Sequence, residues 1–286
     1  YMKHLLEQKP DAKLALLYQN DDFGKDYLVG VRDILGDRYE AARPLADEVI
    51  EAALRARLAA YQVRLAPDLA RGLVGHFPLD TIAGRTTPNA APGPGRAPGG
   101  VDSGMVAVPG RLGRALEVRE GEGVSVAKAY NFDRADPFTL SAWVRPTRLA
   151  EHAPILTKAM ESVRYFRGYD VALRDGRLTM QLVHSWPNDA IRVRARDRVP
   201  LNAWTHVAAS YDGSARAAGL RLYVNGRPVA VEVEADRLTR HTRSEDWVAF
   251  LIGRKNGTDQ AAFEGGRIDE VRVYDRALAG AEVARL

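Results

Sequence analysis

The 286-residue sequence predicts a mainly β protein in which two antiparallel sheets pack against each other. Its clearest segment is an alternating apolar stretch, Leu220–Val224, followed by Asn225-Gly226 and a second alternating stretch at residues 229–233. Alternation with a period of two is typical of a half-buried strand, and Asn-Gly favours the tight turn of a β-hairpin. About a dozen such short strands, separated by turn residues, favour a two-sheet sandwich.

Short alternating or apolar runs predict the other strands of this sandwich. Pro78 cannot donate a backbone hydrogen bond, so the first run is expected at a sheet edge. The proline- and glycine-rich residues 86–100 are predicted as a long rim loop, and residues 279–286 as a short helix. The predicted strands lie at residues 73–80, 115–119, 124–128, 138–145, 154–159, 171–174, 177–183, 191–196, 204–211, 250–254 and 266–274.

The first 68 residues have a different pattern. Residues 13–19 are an apolar run that predicts a buried strand, and residues 25–35 have the apolar spacing of a helix. Residues 44–66 predict an amphipathic helix. The length allows one large all-β domain with an appendage, or two domains. We therefore divide the chain into a strand–turn–helix segment (1–43), a connecting helix (44–68) and a β-sandwich (70–286).

Composition excludes several classes of function. Lys and Arg number 41 against 37 Asp and Glu, and the basic residues are spread along the chain. Arg192, Arg194 and Arg196 alternate along one strand, which predicts a solvated face. Basic residues are not interleaved with stacking aromatics on one element, so no nucleic-acid partner is expected. The absence of cysteine excludes a disulfide scaffold and a thiolate zinc site. No 18-residue apolar window predicts membrane insertion. The oligomeric state stays open.

Six motifs occur in order along the predicted strands. The motifs are Phe138-Thr-Leu-Ser-Ala-Trp-Val144, Trp204-Thr-His-Val207, Tyr211-Asp-Gly213, Leu222-Tyr-Val-Asn-Gly226, Ile252-Gly-Arg254 and Gly266-Arg-Ile-Asp-Glu-Val-Arg-Val-Tyr-Asp-Arg-Ala-Leu278. Over residues 70–286 they resemble the LamG-like domains of the concanavalin A-like lectin/glucanase group. The resemblance implies a jelly-roll sandwich and a binding module of an exported bacterial protein.

Two narrower resemblances concern parts of the chain. The motifs His184-Ser-Trp-Pro187, Tyr211-Asp-Gly-Ser214 and Ala218-Gly-Leu220 resemble the LamG-like domain of planctomycete cytochrome-c-like proteins, whose haem motif this sequence lacks. Residues 10–27 resemble the periplasmic binding proteins of branched-chain amino-acid ABC transporters. Those receptors consist of two lobes with the ligand cleft between them, and the resemblance covers only a small part of one lobe. We therefore assign no ligand-binding residue from this family.

The resemblance to LamG-like sandwiches implies a Ca²⁺ site at the rim. The matching positions are Asp80 and Asp269, with Asn89 or Asp102 as further loop donors. Carboxylate and carbonyl oxygens from separate loops suit this ion. The alternative is a rim without metal, because the nearby loop is rich in proline and glycine rather than Asp and Asn. Glu270 is expected to pair with an arginine.

Tryptophans in loops are the candidates for a ligand site. Sugars bind to aromatic rings flanked by planar polar groups, and exposed aromatics are functional more often than buried ones. Trp143 and Trp204 lie in strand patterns and are expected in the core. The predicted ligand-binding residues are therefore Trp186, Asn188, Asp189 and Trp247.

Catalytic patterns are not found in the sequence. Retaining glycosidases need two carboxylates roughly 5 Å apart, and the Glu-x-Asp-x-Glu strand that usually carries them here is missing. Glu232 and Glu234 share a strand face that solvation explains, and the histidines form no HExxH motif. We therefore predict a non-catalytic module, periplasmic or extracellular, that binds a glycan or an extracytoplasmic protein ligand. The alternatives are a structural or protein-interaction domain, a remnant of an amino-acid receptor and, last, a glycosidase.

Overall fold

A computed structural model describes residues 67–94, 96–103, 105–119, 121–162, 165–256 and 261–286. The strand predicted at residues 13–19 and the helices predicted at 25–35 and 44–66 lie outside the described residues. Helix α1 (Pro67–Ala70) precedes the first strand, and helix α2 (Gly280–Val283) lies near the C-terminus. This second helix is shorter than the predicted 279–286.

The first of two antiparallel sheets has eight described strands. In spatial order, the sheet consists of β14 (Arg227–Pro228), β13 (Leu220–Val224), β12 (Thr205–Tyr211), β7 (Phe138–Arg145), β17 (Arg267–Tyr274), β5 (Arg114–Glu117) and β4 (Val106–Pro109), with β1 (Leu73–Phe77) beside β17. Strands β1 and β5 pair with neighbouring parts of β17, and both lie on the side of β17 opposite to β7.

The second sheet has nine described strands. Its centre is formed by four long strands connected by hairpins, and the register runs without interruption over most of each of the three pairs. In spatial order, the sheet consists of β15 (Val231–Arg237), β11 (Asp189–Arg198), β10 (Arg177–Ser185), β9 (Tyr165–Arg174), β8 (Ala153–Ser162), β16 (Phe250–Ile252), β6 (Val124–Val126), β3 (Gly99–Val101) and β2 (Thr86–Thr87).

The core lies between the inner faces of the two sheets. Phe138 and Leu140 on β7 face Tyr169 and Val171 on β9, and all four are buried in one hydrophobic cluster. Phe138 and Tyr169 have ring centroids 4.8 Å apart. Successive residues of a strand point to opposite faces, so the residues between these core positions lie on the outer faces. The predicted two-sheet jelly-roll sandwich is confirmed.

Two local predictions were wrong. Residues 86–100 are not wholly a loop, because β2 and the start of β3 lie within them and pair through Thr86 and Gly100. The Asn225-Gly226 turn is confirmed, with both residues at positive φ. The second arm of that hairpin, however, is only β14. Val229 N–H still donates to Leu222 O at 3.0 Å, after which the chain leaves this sheet and joins the other as β15.

Candidate functional site

A cleft of about 520 Å³ lies on the outer face of the nine-stranded sheet. Its floor comes from β9, β10 and β11, and its walls come from the loop before β8, the β10–β11 turn and the segment around residue 255. The residues that line it are Ala150, Glu151, His152, Phe166, Arg174, Gln181, Trp186, Arg192, Lys255 and Ala261.

A row of polar side chains crosses the floor of this cleft. The register places Thr157 opposite Asp170, Asp170 opposite Gln181, and Gln181 opposite Arg192. The neighbours of these residues along each strand belong to the core, so the row points outwards. Cross-strand partners lie about 5 Å apart, which brings groups from four strands into contact.

Asp170 is the buried centre of a charged group. It is 0% exposed, and its Oδ2 lies 3.1 Å from His152 Nε2 and 3.6 Å from Arg174 Nη2. A carboxylate only accepts, so the His152 Nε2–H donates to it. Burial opposes ionisation, but the hydrogen bond from His152 and the charge of Arg174 outweigh it and lower the pKa of Asp170. Its Oδ1 has no hydrogen-bond partner within the described part of the chain.

Arg192 lies flat against Trp186 at one wall of the cleft. The guanidinium carbon is 3.4 Å from the centroid of the Trp186 ring, which is cation–π contact. The Arg192 Nε–H donates to Gln181 Oε1 at 2.7 Å, and Nη1 donates to Glu234 at 3.4 Å. Burial and, after it, the charge of Arg174 lower the pKa of Arg192. Trp186 is 40% exposed, so part of its ring is open to a ligand.

Asn188 lies in the turn between β10 and β11 and Asp189 is the first residue of β11, and the two differ in role. Asn188 is exposed, whereas Asp189 is buried. The Asp189 carboxylate accepts hydrogen bonds from the backbone and hydroxyl of Thr239 (2.6 and 3.0 Å) and from Arg240 Nε (2.7 Å). Burial raises the pKa of Asp189, but these donors outweigh it and hold the pKa well below its usual range. Asp189 thus attaches the Trp186 turn to the neighbouring segment.

The other tryptophans lie away from the cleft. Trp247 is 69% exposed in a turn closed by a hydrogen bond from Val248 N–H to Glu245 O. Trp143 and Trp204, expected in the core, are only half-buried. Trp143 lies on the outer face of the eight-stranded sheet, where its ring centroid is 5.5 Å from that of His206. Trp186 is therefore the tryptophan that lines the cleft.

Asp80 and Asp269 lie together near the end of β17. Asp269 Oδ2 accepts the backbone N–H groups of Arg111 (2.7 Å) and Leu112 (3.0 Å), while Asp80 Oδ1 accepts that of Arg114 (2.7 Å). Both carboxylates therefore hold the loop before β5. Burial, with the charges of Glu270 and Asp80, raises the pKa of Asp269 to about 7. Asp269 is 0% exposed, and its Oδ1 has no partner among the described residues.

The other residues considered for this rim site make different contacts. Asn89 Oδ1 accepts the N–H of His76, and Asp102 Oδ2 lies 3.0 Å from Arg254 Nε. Arg272 Nη2 donates to Glu270 Oε2 at 2.6 Å, which confirms the predicted pairing of Glu270 with an arginine. The described residues contain no group of three or more His, Cys, Asp or Glu arranged to hold a metal ion.

Sequence reasoning missed Asp170, Arg174 and the role of Arg192 in the cleft. A usable signal exists for the first two, because Asp170 interrupts an apolar strand and Arg174 follows on the same face. Arg192 was expected on a solvated face, but it is partly buried against Trp186. The register that brings it beside Gln181 cannot be read from one strand alone.

The profile of the concanavalin A-like lectin/glucanases superfamily matches residues 119–284, more than half of the chain. The chain belongs to this superfamily. No curated protein sequence matches the chain significantly.

Solved structures are similar in fold. The binding domain of Paraclostridial Mosquitocidal Protein 1 is 18% identical, with a TM-score of 0.56, over 75% of this chain and 51% of that one. Domain 4 of AbnA, a GH43 extracellular arabinanase from Geobacillus stearothermophilus, in complex with arabinotriose, is 21% identical, with a TM-score of 0.55, over 74% and 97%. Trypanosoma rangeli sialidase in complex with sialic acid is 20% identical, with a TM-score of 0.53, over 74% and 32%.

The match spans about half of the mosquitocidal-protein binding domain and about a third of the sialidase chain. At such identities the likeness shows the fold alone. Within the described part of the chain, none of the helices has the length and apolar character needed to cross a membrane.

Proposed function

We propose that this chain is a non-catalytic glycan-binding module of an exported protein. The observation that carries the proposal is the open cleft on the nine-stranded sheet, where Trp186 stands beside Gln181 and Arg192. An aromatic ring surrounded by planar hydrogen-bonding groups suits a sugar, because the apolar face of the sugar packs on the ring while its hydroxyls bind the polar groups.

The fold likeness adds support by analogy. The AbnA domain, similar over nearly its whole length, was solved in complex with arabinotriose. One fold hosts many functions, so the argument for this chain depends on its own cleft. Whether the site is catalytic must likewise be argued from the side chains of this chain rather than from its fold. Asp170 and Glu234 are each paired with an arginine, which favours binding over acid–base chemistry at these two carboxylates, whereas Glu151 is an exposed carboxylate on the wall of the cleft.

Binding to a glycan array, followed by calorimetry with the best oligosaccharide, tests the proposal. Trp186→Ala should lower the affinity by about tenfold or more, because an aromatic anchor of this kind commonly contributes more than 1 kcal/mol. Trp247→Ala is the matched control, since it removes a more exposed tryptophan that does not line the cleft. Equal losses in both variants would argue for a site spread over both loops and against the cleft.

The runner-up is a structural or protein-interaction domain without a small ligand. The absence of binding to any glycan on the array would favour it. Single exposed apolar residues such as Val233 and Leu149 are ordinary on a protein surface and give that alternative no specific support.

We further propose that Asp80 and Asp269 bind a hard divalent cation such as Ca²⁺. The unpartnered, buried Oδ1 of Asp269 and the raised pKa of this carboxyl support the proposal, because a cation beside the pair would offset the cost of burying their charge. When bound, the ion would neutralise the two carboxylates and stabilise the loop before β5, and backbone carbonyls would have to complete its shell.

Thermal unfolding with calcium and with a chelator tests this cation site. The expected result is a midpoint several degrees higher with calcium, because a ligand that binds only the folded state stabilises it. Asp269→Asn should abolish the shift, whereas Asp197→Asn, an exposed change on the other sheet, should retain it. An unchanged midpoint in the wild-type protein would exclude Asp80 and Asp269 as cation ligands.

A further inference from the structure

The cleft concentrates positive charge. Among the described residues that line it, Arg174, Arg192 and Lys255 are cations and Glu151 is a carboxylate. Glu234 on the neighbouring strand β15 pairs with Arg192 and offsets part of this charge. Asp170 lies beneath the floor and is fully buried, so it compensates charge without facing a ligand. A cleft lined mainly by one sign of charge focuses the field and attracts ligands of the opposite sign. The cleft is therefore suited to an anion.

Arg192 is held ready to receive an anionic group. The Trp186 ring fixes the plane of its guanidinium, and Gln181 and Glu234 take Nε and Nη1. These two hydrogen bonds use Nε and Nη1, so Nη2 is the donor nitrogen that neither Gln181 nor Glu234 occupies. A guanidinium presents its donors as a planar fork that matches a carboxylate, and little side-chain entropy is lost when the fork is already in place.

Arg174 supplies the second cation. Asp170 and His152 lie against its Nη2, while its buried Nε has no partner within the described residues. The charge of Arg174 contributes to the lowered pKa of Arg192, so the two guanidinium groups repel each other. Two like charges that share one cleft are stabilised when an anion binds between them.

We propose that the glycan bound in this cleft is acidic and that the carboxylate of one sugar residue binds between Arg174 and Arg192. The ring of that sugar packs on the exposed part of Trp186. This inference rests on the glycan-binding function proposed above, and it narrows the ligand to carboxylated glycans. Asp170 is a positioning residue that keeps Arg174 and His152 in place.

The test is an array of uronate and sialylated oligosaccharides, each printed beside its neutral methyl ester. The wild-type protein should bind at least one free acid about tenfold or more tightly than its ester, because charge-assisted bidentate bonds are among the strongest hydrogen bonds. The two arms show whether the carboxylate comes from a uronate or from a sialylated chain. Arg192→Gln and Arg174→Gln should each reduce binding of the free acid to near that of the ester.

Arg221→Gln is the matched control, because it makes the same change of charge at an exposed position of β13 on the opposite sheet. It should leave the preference unchanged. Arg192→Lys keeps the charge but not the planar fork and should give an intermediate affinity. It also keeps the test valid if Arg192→Gln does not fold, which the thermal unfolding midpoint will show.

Equal binding of acids and esters, lost in Trp186→Ala, would overturn this inference and leave the glycan-binding function standing. Binding to no glycan would overturn both. Equally tight binding of poly-glutamate would indicate general attraction of anions and would also overturn the inference.

Discussion

The outer faces of the two sheets bury polar side chains in different ways. On the eight-stranded sheet, Thr139 Oγ1 accepts the N–H of Leu278 (2.9 Å) and donates to Arg276 O (2.9 Å). Ser210 Oγ donates to Leu278 O at 3.3 Å. On the nine-stranded sheet, Asp170 has only side-chain partners, and an open cleft lies above it.

This difference shows what makes one face available for binding. Residues 276–278 pass over part of the first face, and their backbone groups satisfy the hydroxyls of Thr139 and Ser210, so these two polar groups serve the fold. On the second face the buried acid holds cationic side chains in position, and some of their donors remain unused. The number of buried polar side chains on a sheet face is thus a poor guide to function. Whether another segment of the chain covers that face is a better guide.

The largest effect on stability should come from Asp170→Ala. Removal of the carboxylate leaves Arg174 and His152 without their buried counter-charge, and the loss of one member of a buried ion pair costs about 3–5 kcal/mol. The free energy of unfolding in urea should fall by an amount near the lower end of this range, because Arg174 is partly exposed.

Asp197→Ala is the control for this prediction, because it removes an exposed aspartate from the same sheet. Its cost should be within about 0.5 kcal/mol. Equal costs for the two variants would show that Asp170 does not organise the cleft.

The strands were predictable from the sequence, but the contrast between the two faces was not. Alternation shows that a residue such as Asp170 or Thr139 lies opposite its core-facing neighbours. It does not show whether a distant segment covers that face, because the path of residues 276–278 depends on how β17 is placed. Trp186 was predictable as an exposed aromatic in a turn. The contact of Arg192 with it depends on a cross-strand register that no single strand encodes.

The next effect should be a pH dependence of stability from His206, on the outer face of the eight-stranded sheet, and its upper limit is close to the cost of Asp170→Ala. Burial and, after it, the charge of Arg272 lower the pKa of His206 to about 4. The unfolded chain, with a histidine pKa near 6.5, binds the proton more readily. Between these values stability rises with pH. The contribution of neutral His206 to the free energy of unfolding is complete above about pH 6.5 and is lost as the pH falls to about 4. In total it amounts to about 3 kcal/mol.

Urea unfolding at pH 7 and pH 4.5, in the wild-type protein and in His206→Gln, measures this contribution. Glutamine does not titrate, so the variant should lose much less stability on acidification. His241→Gln is the control, because His241 is an exposed histidine. On acidification it should lose as much stability as the wild-type protein. A wild-type profile retained in His206→Gln would assign the acid sensitivity to other groups.

The smallest of these effects should come from Thr139→Val, which tests whether residues 276–278 hold the covered face. Valine keeps the shape of the side chain but leaves the N–H of Leu278 without its acceptor, at a cost of about 1–2 kcal/mol. Hydrogen exchange at residues 278–286 should accelerate, while exchange in β9 and β10 should not change. Thr147→Val is the control, because it makes the same substitution at an exposed threonine. It should change hydrogen exchange in neither region. Glycan binding should survive Thr139→Val, because the cleft is formed by the other sheet; its loss would show that the two faces depend on each other.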